Sequence, residues 1–247
     1  MPGSELVRTA LGIAALVGVA HLVLALGRVP VGRAPVLAVA RGAVQIAAVG
    51  LALRGVLTAP VFVALALAVM FAVATRTASG RLRALDGAGR AVVLSCAAGA
   101  GTSLGVVFAL GVLPFAARYV VALGGIVVGA TMTGATLAGR HLLNGLRARR
   151  EEVEAWLAIG ATPREAVRDI ARAAVVEALV PGLDQTRTTG LVTLPGAFVG
   201  ALLGGASPIA AARFQLVVLA ALLAAQAVVA VCLTTLLGAP SPIPADP

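Results

Sequence analysis

This chain of 247 residues contains no lysine: all nineteen of its positively charged side chains are arginines. A GxxxxGK[ST] phosphate loop is therefore excluded, and the chain by itself does not hydrolyse ATP in the P-loop manner. Aromatic residues are almost as scarce, at 3%, and no basic face interleaves with them, so a net charge of +9 does not point to nucleic acid. The two cysteines, Cys96 and Cys232, lie far apart in apolar runs with no CxxC and no metal-ligand spacing, and read as small core hydrophobes. The absence of HExxH, GxSxG or a clustered acid–base pair argues against an intramembrane enzyme. Charged residues make up only 12%, against about 25% in soluble domains.

What fills the space is apolar: 60% of the residues are hydrophobic and the mean hydropathy is +1.03. An all-α, polytopic membrane protein follows, organised as one transmembrane domain over 1–247. A helix needs about 20 predominantly apolar residues to cross the hydrocarbon. Seven runs qualify: Leu6 to Leu26, Pro35 to Leu53, Val56 to Thr75, Ala91 to Leu113, Tyr119 to Leu137, Thr188 to Leu203, and Phe214 to Leu237. The first has no basic region before it and reads as a span rather than a cleaved leader. If the first loop is cytoplasmic, fourteen arginines fall inside, four outside, and Arg41 lies within the second run. By the positive-inside rule the N-terminus is then outside and the C-terminus cytoplasmic, which in a bacterium means a multi-pass protein of the inner (plasma) membrane. Pro240, Pro242, Pro244 and Pro247 predict a disordered tail over 239–247.

Charge concentrates in one place, residues 140–187, which hold seven of the ten acids and eight of the arginines. The fifth span is expected to continue as a helix out of the membrane through Arg150, with Arg150 and Glu154 as an i,i+4 pair. Gly160 stops this helix. Thr162, Pro163 and Glu165 spell a capping box with proline at the first helical position. An amphipathic helix follows, with Val167, Ile170, Ala174 and Ala178 on its apolar face, and Pro181-Gly182 is expected to end it. A hairpin resting on lipid headgroups is the plainer alternative for this cytoplasmic segment.

Polar residues inside the spans mark candidate path positions. Arg41 and Gln45 share one face of the second span, where a charge either lines the bundle interior or snorkels. Thr131, Met132 and Thr133 offer hydroxyl and thioether groups in the fifth, although threonine also bonds its own backbone and methionine fills gaps. Asp184 and Arg187, one turn apart before the sixth span, either pair at its cytoplasmic mouth or leave Arg187 as a topology charge, and Pro195 should interrupt that span. His21 has no partner at ligand spacing, and no metal site is indicated.

Glu154-Ala155-Trp156, three residues, Gly160, nine residues, Ile170 resembles the EAA loop of ABC transporter permeases, with Trp156 in place of the second alanine. Over most of the chain, "ARGAVQIAAVG" (40–50), "GIVVGATMTGATLAG" (125–139), "WLAIGATPREA" (156–166) and "ALVPGLDQTRTTGLVTLPGAFVGALLGG" (178–205) resemble the FetB-type permeases described as iron exporters. The resemblance implies a transport subunit, not an enzyme, that works as a homodimer in membrane lipid and binds a separate P-loop ATPase, on which ATP and Mg would sit; this chain would carry no cofactor. It implies ATPase coupling through Glu154, Ala155, Trp156, Gly160, Ala161, Thr162, Pro163, Glu165 and Ile170, and export of iron or another metal ion. The alternatives are an ATP-independent secondary transporter and an ABC permease for a non-metal substrate.

Overall fold

The structure is a computed structural model that describes residues 3–56 and 60–238, so the tail expected over 239–247 lies outside it. The described residues are helical, with one isolated bridge between Thr189 and Thr193. The chain divides into two units, Met1–Phe62 and Val63–Pro247.

The first unit is a helical hairpin of α1 (Gly3–Leu26) and α2 (Ala34–Val56). Its apolar side chains point outward; Leu16 and Ile46, for example, are exposed. That is tolerable in lipid, where backbone groups must be satisfied within each helix but apolar side chains need no burial against protein.

The second unit holds α3 (Pro60–Arg81, from Val63 on), α4 (Ala88–Ala109), α5 (Ala117–Ala148), α6 (Arg150–Ala158), α7 (Pro163–Ala166), α8 (Arg168–Thr188), α9 (Gly196–Leu203) and α10 (Pro208–Leu237). The long helices α3, α5 and α10 run one way and α4 and α8 run back, as their contacts show. Ser103 of α4 donates to the Ala221 carbonyl of α10 at 2.8 Å, Ile170 of α8 meets Gly145 of α5, and Gly182 of α8 meets Gln226 of α10. Glycine sets the closest approach: a Cβ on Gly99 of α4 would lie 2.7 Å from the Ala225 carbonyl oxygen. One apolar core, around Leu82, Leu142, Val153, Ile170 and Leu233, gathers the end of the bundle where α6 and α7 sit. The other, around Val107, Leu123 and Val218, fills the opposite end.

Two expectations change here. Five helices among the described residues are long and apolar enough to cross a membrane, and the apolar part of α2, Ala34–Gly50, is shorter. The sixth expected span, Thr188 to Leu203, is not a helix of that length. Its helical part is α9, whose eight residues rise about 12 Å, less than half the hydrocarbon thickness. Nor does Pro181-Gly182 end α8, which continues to Thr188. An interior proline costs about 3 kcal/mol, but packing holds this helix on both sides of it: Ala174 and Ala178 are buried before Pro181, and Gly182 lies directly against Gln226 after it.

Candidate functional site

α5 runs 32 residues, far enough to carry α6 beyond the bundle core. α6 stops on Gly160, whose φ of +93° is the left-handed conformation glycine adopts at little cost. The Ala161 N–H donates to the Trp156 carbonyl at 3.0 Å and the Gly160 N–H to the Leu157 carbonyl at 3.1 Å, the paired bonds of a Schellman cap. One residue later the capping box expected at Thr162 is present. The Thr162 N–H donates to Glu165 Oε2 at 2.8 Å, the Thr162 hydroxyl to the same oxygen at 2.7 Å, and the Glu165 N–H to Thr162 Oγ1 at 3.4 Å, with Pro163 following the cap. The hydroxyl and N–H of Thr162 hold the Glu165 carboxyl below its usual range. The turn is thus closed on both sides by its own hydrogen bonds.

Its outer surface is apolar at the tip. Trp156 is 48% and Ile159 76% exposed, and with Gly160 and Ala161 they line a cavity of about 490 Å³. Behind the tip, Val153, Ala166 and Val167 are buried against the bundle core. Glu154 pairs with Arg150 at 2.7 Å, and Arg149 donates to Glu152 at 2.7 Å; both pairs are exposed. Ile170 does not belong to the outer surface, because it is 4% exposed and wedged against Gly145 of α5. It anchors the turn to the bundle.

The second arrangement is the polar stripe of α8. Glu177, Asp184 and Thr188, spaced seven and four apart, share a face, and Asp184 and Arg187 pair at 3.7 Å. This pair does not sit at a mouth before a span. It lies just past Gly182, abreast of the middle of α10, while both side chains remain largely exposed. After Thr188 the helix opens. Gly190 takes φ +89°, the Thr188 carbonyl accepts from the N–H groups of Leu191, Val192 and Thr193, and the Gly190 N–H donates to the Thr193 carbonyl at 2.8 Å. Pro195 then caps α9 without any side-chain hydrogen bond. The expected interruption at Pro195 is therefore present, as a seven-residue break.

Thr131 is fully buried and donates to the Val128 carbonyl of its own helix at 2.8 Å, the backbone bond weighed against a path role. Met132 packs against the core around Leu142, and Thr133 is exposed but bonded back to Gly129. Arg41 and Gln45 are exposed on α2. No group of three or more metal-binding side chains occurs among the described residues.

The family described as "Uncharacterised protein family (UPF0014)" matches residues 8–240, nearly the whole chain. The chain belongs to the UPF0014 family. It is 35% identical over 201 residues to the UPF0014 membrane protein STAR2 of Oryza sativa subsp. japonica, covering 81% of this chain and 70% of the relative. To the UPF0014 membrane protein YjkA of Bacillus subtilis it is 32% identical over 203 residues, 81% of each chain. The match to the protein named "Probable iron export permease protein FetB" of Escherichia coli is narrower: 31% over 120 residues, 49% of this chain and 46% of the relative. The comparisons thus support the UPF0014 membrane family, and the FetB type within it only over part of the chain. No solved structure matches this chain.

Three positions in this UPF0014 chain escaped the sequence reading. Ile159 was overlooked because a lone isoleucine in an apolar chain carries no signal. Gln215 and Gln226 are the others. Gln226 sits where α5, α8 and α10 meet, against Gly134 and Gly182, and the side-chain oxygens of both glutamines are buried without a hydrogen-bond partner. Two amides in the most apolar helix were the available clue.

Proposed function

We propose that this chain is the membrane-spanning permease subunit of an ATP-driven transporter, working as a homodimer with a separate P-loop ATPase bound at the turn over 154–165. One observation carries the reading: the turn is closed at both ends by hydrogen bonds, exposes Trp156 and Ile159, and is fastened to the bundle through Val153, Ala166 and Ile170. Exposed apolar side chains on a rigid, charged, extramembrane element are what a protein partner needs for a small docking contact. Closure of that partner would then be felt by α5 and α8 together, since both pack behind the turn. The path for the substrate would run along the polar stripe of α8 and the break before α9, with a second copy completing it. Iron or another metal ion as substrate, moved outward, rests on the name of the FetB relative. In bacteria the site would be the inner membrane with the turn cytoplasmic.

Asp184 gives weight to a second reading. A carboxylate abreast of the bundle's middle is what an ion-coupled, ATP-independent transporter uses. Reconstitution separates the two. The chain alone in proteoliposomes should move no metal ion, and the chain with its ATPase should do so only with ATP. Robust flux without ATPase would establish the second reading. Trp156→Asp should insert normally but lose the ATPase on co-purification; retained co-purification and transport would overturn docking at the turn.

A further inference from the structure

Beside the turn, and sharing only Arg168 with the cavity at its tip, lies a second groove along α8. It has a volume of about 460 Å³ and runs between α7–α8 and the last turns of α10. Arg164, Arg168 and Arg172, four residues apart, stand along it, and Val175, Val176 and Val231 form its apolar wall. The nearby acids offset this row only in part. Glu165 is hydrogen-bonded to Thr162 and lies near Arg168, and Asp169 pairs with Arg172 at 3.8 Å, both side chains exposed; two acids thus stand against three arginines. At about 100° per residue, Asp184 points some 160° away from Arg168, so the polar stripe of α8 is a separate surface.

The level of the groove identifies its ligand. The apolar run of α10 read as a span, Phe214 to Leu237, ends at the last turn of this helix. Thr234, Thr235 and Gly238 therefore stand where the hydrocarbon gives way to lipid headgroups, with Arg164 and Arg168 on the same groove and Val231 about one turn deeper. Val176 and Val231 are 62% and 52% exposed, an apolar surface that suits an acyl chain. Guanidinium groups bind phosphate oxygens in bidentate fashion. We propose that this groove binds one anionic phospholipid, with its phosphate on Arg164, Arg168 and Arg172 and a chain against Val175, Val176 and Val231. The inference needs only a membrane-spanning α10 and does not rest on the transport reading.

Native mass spectrometry of the full chain released from detergent, with phosphatidylglycerol or phosphatidylcholine of the same acyl chains, tests it. Phosphatidylglycerol should bind at least about tenfold more tightly, each arginine contributing roughly fivefold. R164Q/R168Q/R172Q should abolish the preference, whereas R76Q/R83Q/R90Q, an equal charge change at exposed positions around the α3–α4 connection, should keep it. Val176→Trp fills the groove with the arginines intact and should also displace the lipid, which keeps the test decisive if the triple variant unfolds. Equal binding of the two lipids, or unchanged binding in Val176→Trp, overturns the proposal. So does full competition by inorganic phosphate, which would mark a site for free anions, or displacement of the lipid by the ATPase subunit, which would mark a protein surface.

Discussion

Two breaks in the helical path share one recipe, a left-handed glycine followed within five residues by a proline, yet they are built to opposite ends. At Gly160 the preceding helix closes with a Schellman pair, the next opens with a capping box, and Pro163 occupies a position whose N–H would be unpaired anyway. At Gly190 the backbone N–H groups of three residues converge on the single Thr188 carbonyl, and Pro195 caps α9 with no side-chain bond. The first break lies outside the bundle, carries exposed apolar side chains and is closed on both sides by its own hydrogen bonds. The second lies beside the polar stripe of α8 and is held by bonds to backbone carbonyls alone, with no capping box. On the proposed function the first break would act as a lever and the second as a joint, at the two ends of α8.

The largest expected effect breaks the joint's charge balance. Arg187→Ala leaves Asp184 without its partner at bundle depth, where an uncompensated charge costs about 2.5 kcal/mol or more. Metal efflux from proteoliposomes containing the chain and its ATPase should fall at least about tenfold, and the exchanged pair D184R/R187D should recover part of it. Wild-type efflux in Arg187→Ala would remove the stripe from the path. A smaller effect separates the two prolines. Pro195→Ala, at a position whose φ of −64° already suits proline, should free the unfolded chain and loosen the break, lowering the melting temperature by a few degrees, an effect of up to about 1 kcal/mol, while slowing transport several-fold. Pro163→Ala, at a first helical position, should lower stability slightly and leave transport near normal. Equal responses of the two variants would erase the distinction between lever and joint.

Sequence reading found the lever more fully than the joint, for a physical reason. Capping is local: Thr162, Pro163 and Glu165 announce their hydrogen bonds through residue type and spacing within four positions. The long extension of α5 past Arg140 was legible in the same way, from periodicity. The course of α8 was not local. Pro181 predicts a stop, and only the fit of Gly182 against Gln226 and the burial of Ala178 carry the helix through it. The same non-local packing placed Asp184 beside the middle of α10 and turned Thr131 into the core. The motif grouping of Ile170 with the docking residues likewise gave its spacing but not its direction, which points inward to Gly145.

Thr162→Ala sharpens the comparison at the lever itself. Removing the capping oxygen should cost about 1 kcal/mol locally, seen as faster amide exchange at Glu165, with co-purification of the ATPase weakened only a few-fold. Unchanged exchange would mean that the Schellman pair alone sets the turn.

The smallest expected effect concerns pH. Hydrogen bonds from the Thr162 hydroxyl and N–H lower the pKa of Glu165 in the folded chain. A depressed carboxylate pKa stabilises the fold fully above the unfolded value, about 4.3, and that contribution is lost as pH falls through the lower folded value. The protection factor of the Thr162 amide should therefore be constant from pH 7 to about 5 and decline below it, while the break at Gly190, whose bonds are all to backbone carbonyls, should show no such decline. Glu165→Gln should flatten the profile at Thr162. A decline of equal size at both breaks would assign the pH response to the bundle as a whole and not to the capping box.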